Sequence, residues 1–91
     1  MQADLLSPPY NFAVVQLPER NYPGVVVQGD TLNSLLRQVE RIQGLLNAKE
    51  LEELADEIED LRGLLSDVLS NYERVCADRG RDLPYPQRSP T

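Results

Sequence analysis

Between Ala48 and Arg79 the apolar residues recur with the period of an α-helix. Leu51, Leu54, Ile58, Leu61, Leu65, Val68, Tyr72 and Val75 alternate at spacings of three and four. That is an a/d heptad pattern held over about four heptads. A strand would turn Glu53 and Glu57 to the same side as Leu51, because side chains alternate there with period two. The spacing predicts one long amphipathic helix. Asn47 is placed to cap its start, with Glu50 three residues on to close a capping box. Glu50, Glu52 and Glu53 suit the positive end of the helix dipole, and Arg74 and Arg79 the negative end. Gly80 fits the left-handed position past the C-terminus, and Pro84 and Pro86 prevent a restart. At ~1.5 Å per residue, roughly 32 residues make a rod on the order of 48 Å long. Gly63 is its weak point, about 1 kcal/mol worse than alanine, and a place for a kink.

A chain of 91 residues allows one domain, 1–91. So short a chain buries proportionally little surface and needs a further source of stability. Its single cysteine forms no internal disulfide, and the absence of histidine argues against structural zinc. No cofactor is expected. Oligomerisation is the remaining remedy. A net charge of −6 argues against DNA, RNA or an anionic membrane as partner. No apolar run approaches ~18 residues and no basic-then-apolar leader opens the chain, so a cytoplasmic protein is expected. A lone free thiol agrees with a reducing compartment.

Residues 1–11, with Ser7-Pro8-Pro9, read as an extended lead-in. Residues 12–28 read as a β-hairpin. Its strands are Phe12 to Leu17 and Gly24 to Gln28, joined by the polar turn Pro18 to Pro23. Such a hairpin is unstable alone and must pack on something. Residues 30–79 read as a helical hairpin. Asp30 is the expected N-cap of the first helix, with Thr31 as alternative, and Leu32, Leu35, Val39, Ile42 and Leu46 continue the heptad pattern. Gly44 and Asn47 punctuate the reversal into the long helix. A first helix of ~15 residues covers only half of the long one. The other half, Leu64 to Cys76, then needs the β-hairpin and a second copy of the chain. Residues 82–91 read as a Pro-rich tail. The expected fold class is α+β, an N-terminal β-hairpin followed by an antiparallel helical hairpin, assembled as a homo-oligomer through the long helices.

The acidic run Glu50, Glu52, Glu53, Asp56, Glu57, Glu59 and Asp60 draws attention first. Helical nucleoside-triphosphate pyrophosphohydrolases hold magnesium with paired Glu-x-x-Glu and Glu-x-x-Asp motifs. Glu53 with Asp56, or Glu57 with Asp60, supplies one pair, but the first helix offers only Glu40 followed by Gln43. A solvated face is the plainer reading, and no metal site is assigned. Cys76 has no histidine to activate it and reads as a buried structural thiol. Serine catalysis fails for the same reason, and no Gly-x-Ser-x-Gly elbow occurs. Gly29-Asp30-Thr31 at a helix start could greet a phosphate, yet the aspartate already fills that place and repels anions. Arg20 and Tyr22 on the hairpin turn, and Arg81 and Tyr85 past the long helix, can stack on and hydrogen-bond a planar or phosphorylated ligand. With Gln28 they make the candidate ligand-binding set. The plainer alternative for the first pair is a hairpin tip with Tyr22 packed on the sheet. No catalytic residue is assigned.

Leu17-Pro18, Tyr22-Pro23-Gly24-Val25-Val26-Val27-Gln28-Gly29-Asp30, the following Leu32 and Leu35, and Leu83-Pro84-Tyr85 carry a resemblance. On these the chain resembles a small family of bacterial and phage-associated proteins of unknown function. The resemblance spans most of the chain and implies no activity. By looser analogy, several phage proteins of this size are oligomeric sponges that sequester cyclic nucleotides or other nucleotide-derived immune signals. The first expectation is therefore a non-enzymatic homo-oligomer that sequesters a small nucleotide-like ligand in an anti-defence role. The second is a protein-interaction module, such as an immunity protein or adaptor. The third is a metal-dependent hydrolase on Glu53, Asp56, Glu57 and Asp60.

Overall fold

The computed structural model describes residues 2–7 and 11–86. The expectations placed on Pro8-Pro9 and on the tail around Arg88 lie outside the described residues. The fold is α+β: three short strands and then two helices. The strands are β1 (Asp4–Leu5), β2 (Ala13–Gln16) and β3 (Gly24–Val26), and the helices are α1 (Gly29–Asn47) and α2 (Leu51–Asp78). The sheet has order β1-β2-β3 and is antiparallel throughout, with Leu5 opposite Val15 and Val14 opposite Val25. The expected two-stranded hairpin is thus the larger part of a three-stranded sheet. Its extra strand falls in the lead-in, where Asp4–Leu5 is too short to show a period. Among the described residues, no helix is long and apolar enough to cross a membrane.

The structure forms two compact units, Met1–Val26 with Ser70–Thr91, and Val27–Leu69. The first holds the buried core. Leu6, Val14, Tyr72, Val75 and Cys76 pack together, with Leu83 and Tyr85 against them. Val14 and Cys76 are wholly buried. Each buried aliphatic chain contributes roughly 1.5–3 kcal/mol. Leu6 and Val14 are bound through the Leu6 N–H and the Val14 carbonyl at 2.8 Å. The Val14 N–H donates to Ser7 Oγ at 2.7 Å. The Tyr72 hydroxyl donates to the Pro23 carbonyl at 2.6 Å, tying α2 to the start of β3.

The second unit contains α1 and the first part of α2. Arg41 of α1 and Glu57 of α2 pair at 2.9 Å across the Ala48-Lys49-Glu50 turn. Leu35, Ile42 and Leu45 of α1, and Leu54 and Leu61 of α2, are half-buried. No residue of α1 is fully buried.

Both helix ends are built alike. The Gly80 N–H reaches the Ala77 carbonyl and the Arg81 N–H the Cys76 carbonyl, with Gly80 at φ 65°. This is the Schellman arrangement expected of Gly80. At the end of α1 the Lys49 N–H reaches Leu46 and the Glu50 N–H reaches Leu45, with Lys49 at φ 60°. A lysine therefore stands where glycine is ordinarily favoured.

The helix starts differ from expectation. Gln28, with extended backbone, is the N-cap of α1 and makes no side-chain capping bond. Asp30 lies inside the first turn, where its Oδ1 accepts from the Thr31 N–H at 2.8 Å. Asn47 ends α1 and does not cap α2; the first α2 bond runs from the Leu54 N–H to the Glu50 carbonyl. The Schellman turn consumes the residues that the capping box would have used. α2 runs unbroken through Gly63.

Candidate functional site

The candidate residues divide between the two units. Arg20, Tyr22, Arg81 and Tyr85 belong to the first; Gln28 belongs to the second, exposed at the start of α1. Gln28 lines neither groove described below.

Arg20 and Tyr22 lie in one groove with Asn21, Pro23 and Pro84. Arg81 and Tyr85 lie in a second, with Ser70, Glu73 and Arg74. The two grooves share the segment Leu83-Pro84-Tyr85: Pro84 lines the first, and Leu83 and Tyr85 line the second. Leu83 is held by the core, which is why the chain beyond α2 returns to the loop before β3.

The turn that carries Arg20 and Tyr22 is organised by Gln16, the last residue of β2. Its side chain is buried. Its Nε2 donates to the Leu17 carbonyl at 3.1 Å, the Arg20 carbonyl at 2.7 Å and the Tyr22 carbonyl at 3.5 Å. An amide replaces the missing ladder of a loop that cannot pair with itself. Its Oε1 has no hydrogen-bond partner in the structure.

The Tyr85 hydroxyl donates to Glu73 Oε2 at 3.1 Å. Burial, and then that carboxylate, push the Tyr85 phenol up to about 12, so it is a neutral donor under ordinary conditions. Burial, and then the neighbouring Cys76, likewise push Tyr72 up to about 12. Cys76 is wholly buried beside it, in keeping with a structural thiol.

A third cleft of about 710 Å³ runs beside α2 and is lined by Asn11, Phe12, Asn71, Arg74, Asp78 and Arg79 among others. Arg74 Nη2 donates to Asn71 Oδ1 at 2.5 Å. Phe12 holds φ 62°, a backbone region that aromatic residues seldom occupy. Sequence reasoning missed this cleft because Leu6 and Ser7, which line it just past β1, follow a strand too short to carry a period.

Arg20, Arg74, Arg79 and Arg81 make no ion pair among the described residues; the ion pairs are Arg37–Glu40, Arg41–Glu57 and Arg62–Glu59, all in the second unit. The acidic run lies there too. Glu53, Asp56 and Asp60 are exposed, Glu57 meets Arg41, and no three acids among the described residues converge on a metal-sized site.

A model of a family of unknown function, DUF6959, matches residues 1–85. The chain belongs to this family. The match covers both units of the DUF6959 chain, from the lead-in to Tyr85, the residue that closes the second groove. No curated protein and no solved structure matches it.

Proposed function

We propose that this DUF6959 protein is a non-enzymatic binding protein that acts as a homo-oligomer and sequesters a small, nucleotide-derived ligand at its first unit. One observation carries the reading: the Leu83-Pro84-Tyr85 segment is shared by the Arg20/Tyr22 groove and the Arg81/Tyr85 groove. Arginines that make no ion pair among the described residues, beside tyrosines, suit a ligand with phosphate oxygens and a flat base, although Glu19, Glu73 and Asp82 line the same grooves. The lack of histidine in the sequence supports binding over turnover. So does a cysteine that is wholly buried and lines neither groove.

The test is a thermal-shift panel of cyclic nucleotides and ADP-ribose derivatives. At least one is expected to raise the melting temperature, and Arg81→Ala and Tyr22→Ala each to abolish the rise. A panel that leaves the wild type unmoved sinks the ligand reading. A second reading, an interaction module for another protein, is favoured by the half-exposed leucines of the second unit. A pull-down partner lost on neutralising Glu52, Asp56 and Glu59 would establish it.

A further inference from the structure

We infer that one apolar face of the second unit is a dimer interface, covered by the same face of a second copy, so that two helix pairs close into a four-helix bundle. This deepens the self-association in the reading above and is independent of the ligand.

The face follows from helix geometry. On α1, Leu35, Ile42 and Leu45 are half-buried, whereas Leu32, Leu36, Val39 and Leu46 are 60%, 53%, 48% and 56% exposed. At about 100° per residue the exposed set lies roughly 90° round the helix from the half-buried set. On α2, Leu54 and Leu61 are half-buried, whereas Leu51, Ile58, Leu65 and Leu69 are 64%, 49%, 51% and 45% exposed. That set is displaced by about 55° in the same rotational sense. The short turn and the Arg41–Glu57 pair run the helices in opposite directions, one back along the other. Opposite directions convert rotations of the same sense into one shared side. The two exposed stripes therefore lie next to each other on a single face of the pair.

Area selects the occupant. On the transfer scale a CH₂ carries ~30 Å², so eight half-exposed aliphatic side chains present on the order of 500 Å². An interface core about 65% apolar then amounts to roughly 800 Å² per partner, the size of a standard stable interface. Glu52, Glu53, Asp56, Glu57, Glu59 and Asp60 all fall about 100° or more from the α2 stripe. Arg62, paired with Glu59, lies within the α2 stripe about 20° from Leu51, so a second copy approaching this face meets leucines and this one ion pair. The face is self-complementary, as a two-fold interface must be.

Light scattering across a dilution series, with melting followed at each concentration, tests this. Two chains per particle and a melting temperature that falls on dilution are expected. Leu36→Asn together with Ile58→Asn should raise the dissociation constant at least about a hundredfold, because each buries a polar amide in place of an aliphatic contact. Both side chains are about half in water in the single chain, so the tyrosine signal of the first unit should persist. A wild type that stays one chain with a concentration-independent melting temperature overturns the inference. So does a double variant that still dimerises, or a particle of more than two chains. A monomer that still shifts with a nucleotide removes this inference alone; a dimer that shifts with none removes the ligand reading alone.

Discussion

In the first unit Val14 and Cys76 are wholly buried and Tyr72 nearly so, whereas α1 of the second buries no residue at all. The second unit nevertheless has the stronger sequence pattern, with heptads along both helices. Its arginines Arg37, Arg41 and Arg62 are all paired, while those of the first unit make no ion pair among the described residues. Apolar patterning and burial are therefore separate properties. A periodic stripe guarantees a face that wants covering; whether the same chain covers it depends on what else folds alongside. Here Leu6, just past β1, and Val14 of β2 pack against the end of α2. Nothing comparable reaches the Leu32 and Leu51 stripes, which stay 60% and 64% exposed.

The contrast can be broken experimentally because the described tyrosines, Tyr22, Tyr72 and Tyr85, fall in the first unit and the chain has no tryptophan. Near-ultraviolet signal reports that unit, and far-ultraviolet helix signal reports mainly the other. The largest effect is expected from Tyr72→Ala, which empties the core and strands the Pro23 carbonyl, at about 3–5 kcal/mol. The tyrosine signal should collapse while much of the helix signal survives. Simultaneous loss of both would show that the units unfold as one. Next comes Gln16→Leu, which leaves the Leu17, Arg20 and Tyr22 carbonyls without their shared donor, at about 2 kcal/mol in a urea titration. It should also weaken any ligand that uses Arg20.

The pH response sharpens the same contrast. Tyr72 and Tyr85 hold their protons up to about 12, against about 10 in an unfolded chain. The folded state binds protons that the unfolded state releases. Their contribution is therefore complete below pH ~10 and is lost as pH rises from ~10 through ~12. Alkaline melting should begin in the tyrosine signal; helix signal that fades first would contradict the burial of these phenols. The smallest effects come from the two helix ends. Lys49→Gly should stabilise the second unit by about 1 kcal/mol, and Gly80→Ala should destabilise the first by about as much. Equal and same-signed shifts would mean the two Schellman turns are not equivalent.

Much of the fold was legible in the residues themselves. The period from Leu51 to Val75, the stop at Gly80 and the strand-to-helix junction around Gly29 are local properties, decided within a few residues of each position. The helix starts were legible only approximately. Asp30 and Asn47 are good caps by type, but Gln28 and Glu50 occupy the cap positions because the neighbouring turn geometry decides where the first helical bond forms. β1 was illegible, since two residues carry no pattern and pair only because β2 is beside them. The same holds for Gln16, whose amide serves three carbonyls that are adjacent only in the folded loop.

For the site, the residue types were readable and their grouping was not. Arg20, Tyr22, Arg81 and Tyr85 stand out as exposed-type residues in loops with ligand-competent chemistry. That their two grooves share Leu83-Pro84-Tyr85 follows from Leu83 packing on the core. Gln28, close to Tyr22 in sequence, falls in the other unit.

The sequence by itself determined a helix of heptads beginning near Ala48, and with it an apolar stripe that had to be covered. Tertiary structure alone decided which part is covered. Leu64 to Cys76 was expected to be left uncovered by the first helix and to need the β-hairpin; Tyr72, Val75 and Cys76 are buried with Val14 of β2 in the first unit, while the stripes of Val27–Leu69 remain half in water. Periodicity is set by covalent order and the pitch of the helix. Burial depends on which distant segments arrive, and a heptad carries no record of them.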